Sequence, residues 1–192
     1  MSDVEIAANL FDWFHERVQD AHRATGIELS PESELYLATL LAERARADRP
    51  EPPERTLAEL HARAARSAPA EQARTYREIG DRSLYVVGYF EESLARSVVG
   101  PSYYCDMGAA AYARADHVFK RWFSNAFDGV FDELAHGFRG CVRVLREVRR
   151  TSDDEPDLVM RLYQQWTLTG SEEVAERLRA HGLVVPPRPS ES

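Results

Sequence analysis

Apolar residues in this chain recur every three or four positions, and no run alternates between turn signals as a strand would. That period commits the chain to helices, and the stop signals between them fix their number. Val4, Leu10, Phe11, Phe14, Val18 and Ala21 share one face of a first helix. It opens at the capping box Ser2-Asp3-Val4-Glu5 and stops at Gly26. Ser30 before Pro31 opens a second, with Leu35, Tyr36, Leu37, Leu40 and Leu41 as its apolar residues. Arg49 to Pro53 is too proline-rich for a helix and reads as a stiff connector. Thr56-Leu57-Ala58-Glu59, another capping box, starts a short third helix to about Ser67.

Pro69 opens a long fourth helix to Val99, with Tyr76, Ile79, Leu84, Val87, Phe90, Leu94 and Val98 in register. Gly100-Pro101 breaks it, and Ser102 caps a fifth helix carrying Tyr103, Met107, Ala110, Val118 and Trp122. A sixth runs from Phe127 to Arg150 on Phe131, Leu134, Phe138, Cys141, Leu145 and Val148. A seventh follows Asp154 and Pro156 with Leu158, Leu162 and Trp166, and a short eighth spans Gly170-Ser171 to Gly182. The expected fold is therefore all-α: a single-domain helical bundle of about seven to eight helices over residues 2–185. Residues 69–99 and 102–122 should form its central antiparallel hairpin, and residues 186–192 a disordered tail.

Charge narrows the function. A net charge of -8 lacks the basic footprint that nucleic-acid binding needs. The cations are 23 Arg and one Lys, so Lys120 alone could form a Schiff base. Asp3, Glu5 and Asp12 leave no basic leader before an apolar core, and the apolar run Leu84 to Phe90 is far too short for a membrane span. Cys105 and Cys141 lack metal or redox spacing and read as reduced, buried thiols of a cytoplasmic protein.

The densest stretch is residues 80–112, which holds Tyr85, Tyr89, Tyr103, Tyr104 and Tyr112. Gly80 and Gly88 on one helix, and Gly108, Ala111 and Ala115 on the next, are expected to face each other and let the two backbones approach closely. Asp81 and Asp106 lie among the tyrosines, where a carboxylate can accept from buried phenol hydroxyls. The favoured reading is a structural Tyr–Asp network. Its alternative is a ligand pocket lined by Asp81, Tyr85, Tyr89, Tyr103, Tyr104 and Asp106.

Five pieces of the chain carry a resemblance: Glu32 to Leu41, Gly80 to Tyr85, Gly88 to Leu94, Tyr103 to Gly108 with Ala111-Tyr112, and Tyr163 to Trp166 with Thr169 to Glu172. Together they resemble a family of conserved, uncharacterised bacterial helical proteins with no established activity. The resemblance implies no catalytic residue.

The sharpest enzyme pattern is Glu-x-x-His, which carboxylate-bridged di-metal bundles place on two helices. It occurs at Glu133–His136, and more loosely at Asp12–His15. At 100° per residue His136 falls about 200° from Leu134 on the buried face, and His15 is one step off its own stripe. Both histidines should face solvent, so no metal is expected. His22, His61, His117 and His181 show no ligand spacing, and nucleotide-binding and nucleophile motifs are absent. Arg139, Arg143, Arg146 and Arg150 form a stripe that reads as a solvated face. The sequence thus points to a non-enzymatic protein without a cofactor, acting through a protein partner or as a homo-oligomer. The alternatives are a module for a small apolar or aromatic ligand beside the tyrosine-rich helices, and a carboxylate/His metal enzyme.

Overall fold

Proline and glycine mark the helix limits in the computed structural model, which describes residues 3–46, 56–89, 99–123, 129–150 and 155–185. Every regular element among them is an α-helix, and nine are present: α1 (Asp3–Thr25), α2 (Pro31–Arg46), α3 (Leu57–Ala64), α4 (Pro69–Tyr89), α5 (Pro101–Trp122), α6 (Val130–His136), α7 (Phe138–Arg150), α8 (Glu155–Thr169) and α9 (Glu172–Ala180). None of these helices is long and apolar enough to cross a membrane. The first capping box, the proline-rich connector, residues 90–98 of the expected fourth helix, and residues 186–192 lie outside the described residues.

Several caps follow the sequence. Gly26 turns left-handed at φ 63° to close α1, a conformation that glycine adopts without strain. Ser30 Oγ accepts from the Ser33 amide at 3.2 Å to open α2. Thr56 and Glu59 form the reciprocal box that starts α3, at 3.2 and 2.7 Å. Two details differ. Gly100 rather than Ser102 is the N-cap of α5, because Pro101 occupies the first helical turn and needs no amide partner. The expected sixth helix is two, since the chain leaves helical geometry at Gly137, whose amide closes α6 onto Glu133 O at 2.7 Å.

The α4–α5 pair is the most extensive contact, with α7 laid across both. Gly80 lies against Tyr112 and Gly108 against Ser83, so numbering falls along α5 as it rises along α4, and the two run antiparallel. The buried line of α5 is Cys105, Gly108, Ala111, Tyr112, Ala115 and Val118. Its small residues are the core face, whereas Ala110 and Trp122, which the sequence register had placed there, are exposed.

The glycines do not form one common stripe. A Cβ at Gly80 would come within 2.5 Å of the Tyr112 ring, and one at Gly88 within 2.7 Å of Leu145 Cβ on α7. Gly108 makes room for the Phe138 ring as well as for Ser83. Eight residues of helix turn the two α4 glycines about 80° apart, so each accommodates a different neighbour. Leu145 is fully buried and its Cβ is fixed to backbone, so it cannot swing aside. Gly88→Leu is therefore expected to cost about 1–3 kcal/mol in chemical denaturation. Combined with Leu145→Gly, which removes that Cβ, it should cost less than the sum of the two single changes. Strict additivity would show that the two sites do not touch.

Candidate functional site

Three helices converge on one carboxylate. Asp81, on the inner face of α4, is 6% exposed. Its Oδ1 accepts from the Tyr36 hydroxyl of α2 at 2.5 Å and from the Tyr112 hydroxyl of α5 at 2.7 Å. Arg77, one turn earlier on α4, donates through Nε to Asp81 Oδ2 at 3.3 Å and to the Tyr36 oxygen at 3.0 Å. The guanidinium lies 5.4 Å from the Tyr36 ring centre and reaches Glu43 at 3.6 Å. Tyr36 thus both accepts and donates, and each carboxylate oxygen has a partner.

Burial dominates the electrostatics. It raises the Asp81 carboxyl above the usual carboxylate range, although Tyr36, Tyr112, Arg77 and Arg44 all pull it down. Burial and then the Asp81 charge push the Tyr36 and Tyr112 hydroxyls well above the ordinary phenol range. Burial alone would lower Arg77, but Tyr36, Asp81 and Glu43 raise it overall. The tyrosines consequently stay protonated as donors.

Above this cluster runs an open groove of about 370 Å³. Leu40, Glu43 and Arg44 of α2 form one wall, Arg74, Arg77 and Glu78 of α4 the other, and Asp81 lies beneath. These positions share one face of each helix by their three- and four-residue spacing.

The other expected site residues go elsewhere. Asp106 is on the outside of α5, its side chain 75% exposed, and meets Arg139 of α7 at 3.5 Å. Tyr85 stacks on Tyr89 with ring centres 5.4 Å apart, and Tyr103 meets Tyr104 edge-on at 5.7 Å. None of these five lines the groove. Conversely, Tyr36 and Tyr112 belong to the cluster without local signals to announce them: Tyr36 lies 45 residues from Asp81 and Tyr112 lies 31. Arg77, at i−4 from Asp81, was within reach of the helical spacing rule.

Glu133 has an unforeseen role. Its carboxylate accepts from the Ser30 amide at 2.8 Å, Ser30 Oγ at 2.5 Å and Ser33 Oγ at 2.8 Å, capping α2 from a distant helix. Burial works against the charge, but the Ser30 and Ser33 hydrogen bonds outweigh it and hold Glu133 below the usual range. His136 is 79% exposed with Nδ1 against the Asp132 carbonyl at 2.9 Å, and His15 stacks on Phe11. Among the described residues no three His, Cys, Asp or Glu gather as a metal site. Cys141 is buried, and burial pushes its thiol up to about 12. Such a thiol supplies no thiolate near neutrality.

Comparison with protein-family models, curated proteins and solved structures finds no match for this chain.

The buried Asp81 and the partly buried Glu133 should respond to acid in opposite senses. Asp81 is raised, so its contribution is fully present below the unfolded value near 3.8 and is lost as pH rises through the folded one. Asp81→Asn should cost about 1–3 kcal/mol at neutral pH, since the amide turns a donor toward Arg77. The gap from wild type should widen as pH falls from 7 toward 4, and a narrowing gap would show that the hydrogen bonds win over burial. Glu133 is depressed, so its contribution is present above about 4.5 and is lost as pH falls through the folded value. For Glu133→Gln, the gap in urea midpoint from wild type should therefore shrink in acid, and a constant gap would contradict the capping role.

Proposed function

We propose that this protein is a non-enzymatic, cytoplasmic helical bundle that acts through association between protein surfaces, with a second copy of the chain as the occupant. One observation carries the reading: Trp122 is 58% exposed at the end of α5, with Phe123 beside it 38% exposed. Tryptophan is enriched at interfaces because its large rigid face gains much on burial at little entropic cost. The Arg121 guanidinium lies 5.6 Å from the Trp122 ring centre. Such a pair is self-complementary, since a two-fold contact can set each indole against the other copy's guanidinium. Behind it, Phe119 stacks on Phe131 at 5.2 Å and packs against Phe123 at 5.8 Å, giving the patch a firm base.

The absence of catalytic work in this reading is supported by how fully the Asp81 cluster is engaged. Its carboxylate accepts from three donors, and its two tyrosines are shifted away from ionisation. The unbridged, buried Cys105 and Cys141 suit a reducing compartment.

Sedimentation velocity over a wide concentration range tests the proposal. Wild-type protein should pass from monomer to dimer, and Trp122→Glu should remain a monomer with unchanged helix content. A wild type that stays monomeric throughout, or a Trp122→Glu variant that dimerises as well, would refute it.

A further inference from the structure

The groove between α2 and α4 has a feature that neither the self-association reading nor the Asp81 cluster uses. It holds three arginines, of which Arg77 is the one held in close ion pairs. Arg77 is engaged by Tyr36, Asp81 and Glu43. Arg44 and Arg74 stand on opposite walls; Arg44 acts on Asp81 and Arg74 on Glu71 only through space, without a close ion pair such as Arg77 makes with Asp81. Arg44 is half-buried and leans on the Tyr85 ring at 5.7 Å, which limits its side-chain freedom. Arg74 spends Nε on the Ala70 carbonyl at 3.2 Å, which holds its stem and leaves the terminal nitrogens facing outward. Ordering these long side chains in advance removes part of the entropic cost of binding.

Two of the three acids in the groove are held by close partners, and the third, Glu78, is exposed. Asp81 is covered by two hydroxyls and Arg77, Glu43 turns to Arg77, and Glu78 acts on Arg82 of its own helix. What remains open to a ligand is two guanidiniums above the apolar side chain of Leu40. Guanidinium groups match the paired oxygens of carboxylates and phosphates, and a groove of about 370 Å³ falls in the range of small-molecule sites.

We propose that the α2–α4 groove binds a small organic anion, a carboxylate or phosphate monoester with a short apolar part, clamped between Arg44 and Arg74. Asp81 does not touch this ligand. Its part is to hold Arg77 and Tyr36 in place, so that the groove keeps its width between two helices that otherwise make little contact.

Titration with succinate and, separately, with inorganic phosphate at constant ionic strength tests the proposal, read by the Nε–Hε resonances of arginine. One or both anions should shift the Arg44 and Arg74 signals saturably, and the tighter binder identifies the carboxylate or the phosphate class. Arg44→Gln and Arg74→Gln should each weaken apparent affinity by roughly tenfold or more. Arg143→Gln, an exposed change on α7, should leave it unaltered. The exposed Arg74 makes its variant safe for folding, which an unchanged melting transition verifies. The proposal fails if neither anion saturates, if the groove variants bind as wild type does, or if Arg143→Gln weakens binding equally, the sign of general charge attraction. None of these outcomes depends on whether the protein dimerises.

Discussion

The buried charge of Asp81 is the constraint around which the centre of the protein is organised. A carboxylate removed from water is costly unless hydrogen bonds replace its hydration. Here the replacements come from three helices: Tyr36 from α2, Arg77 from α4 and Tyr112 from α5. Each donor must be held at the right depth, and that requirement spreads outward. The Tyr112 ring fits only because Gly80 has no side chain, and it then stacks on Phe131 at 5.8 Å and tilts against Phe138 at 6.0 Å. Phe138 in turn occupies the notch left by Gly108. The Asp81 cluster is thus continuous with aromatic rings on two further helices, α6 and α7.

How much of this is written in the sequence depends on whether the signal is local. Caps are local, so Gly26, Ser30-Pro31, Thr56-Glu59 and Pro69 mark their boundaries correctly. The face of α5 is partly legible: Gly108, Ala111 and Ala115 are buried at the contact expected of them, whereas Ala110 and Trp122 of the apolar register are exposed. What buries the small residues is the close approach of Ser83 and Phe138, which only the fold provides. Asp81 stood out as a carboxylate among tyrosines, yet nearby Tyr85 and Tyr89 point elsewhere on the same helix, and its real partners come from other helices. Glu133 shows the same limit. Its spacing to His136 suggests a metal ligand, but its partner is a helix terminus 100 residues and more away.

The arginine-rich seventh helix shows how one composition serves two purposes. Arg146 Nε approaches the Val87 carbonyl at 3.5 Å, and Arg149 donates to the Tyr89 carbonyl. Both carbonyls belong to α4, so the two arginines tie α7 to the backbone of its neighbour. Arg139, Arg143 and Arg150 remain exposed on the same helix. Within the regularly spaced stripe Arg146 alone reaches inward, and the neighbouring Arg149 joins it from outside the stripe.

The indole of Trp13 donates to the carbonyl of His181 at 3.0 Å across a sequence separation of 168 residues, with Arg17 stacked 3.5 Å above the ring. Closing so long a loop carries an entropic cost that grows only with the logarithm of its length, but one hydrogen bond does not offset it. The closure is held by apolar anchors instead: Val174, Ala175 and Leu178 of α9, then Leu183 and Val185 beyond it. The α4–α5 hairpin, by contrast, joins neighbours in sequence. None of the C-terminal anchors bonds Asp81, so the closure of the C-terminal segment onto Trp13 and the Asp81 cluster rest on separate sets of contacts.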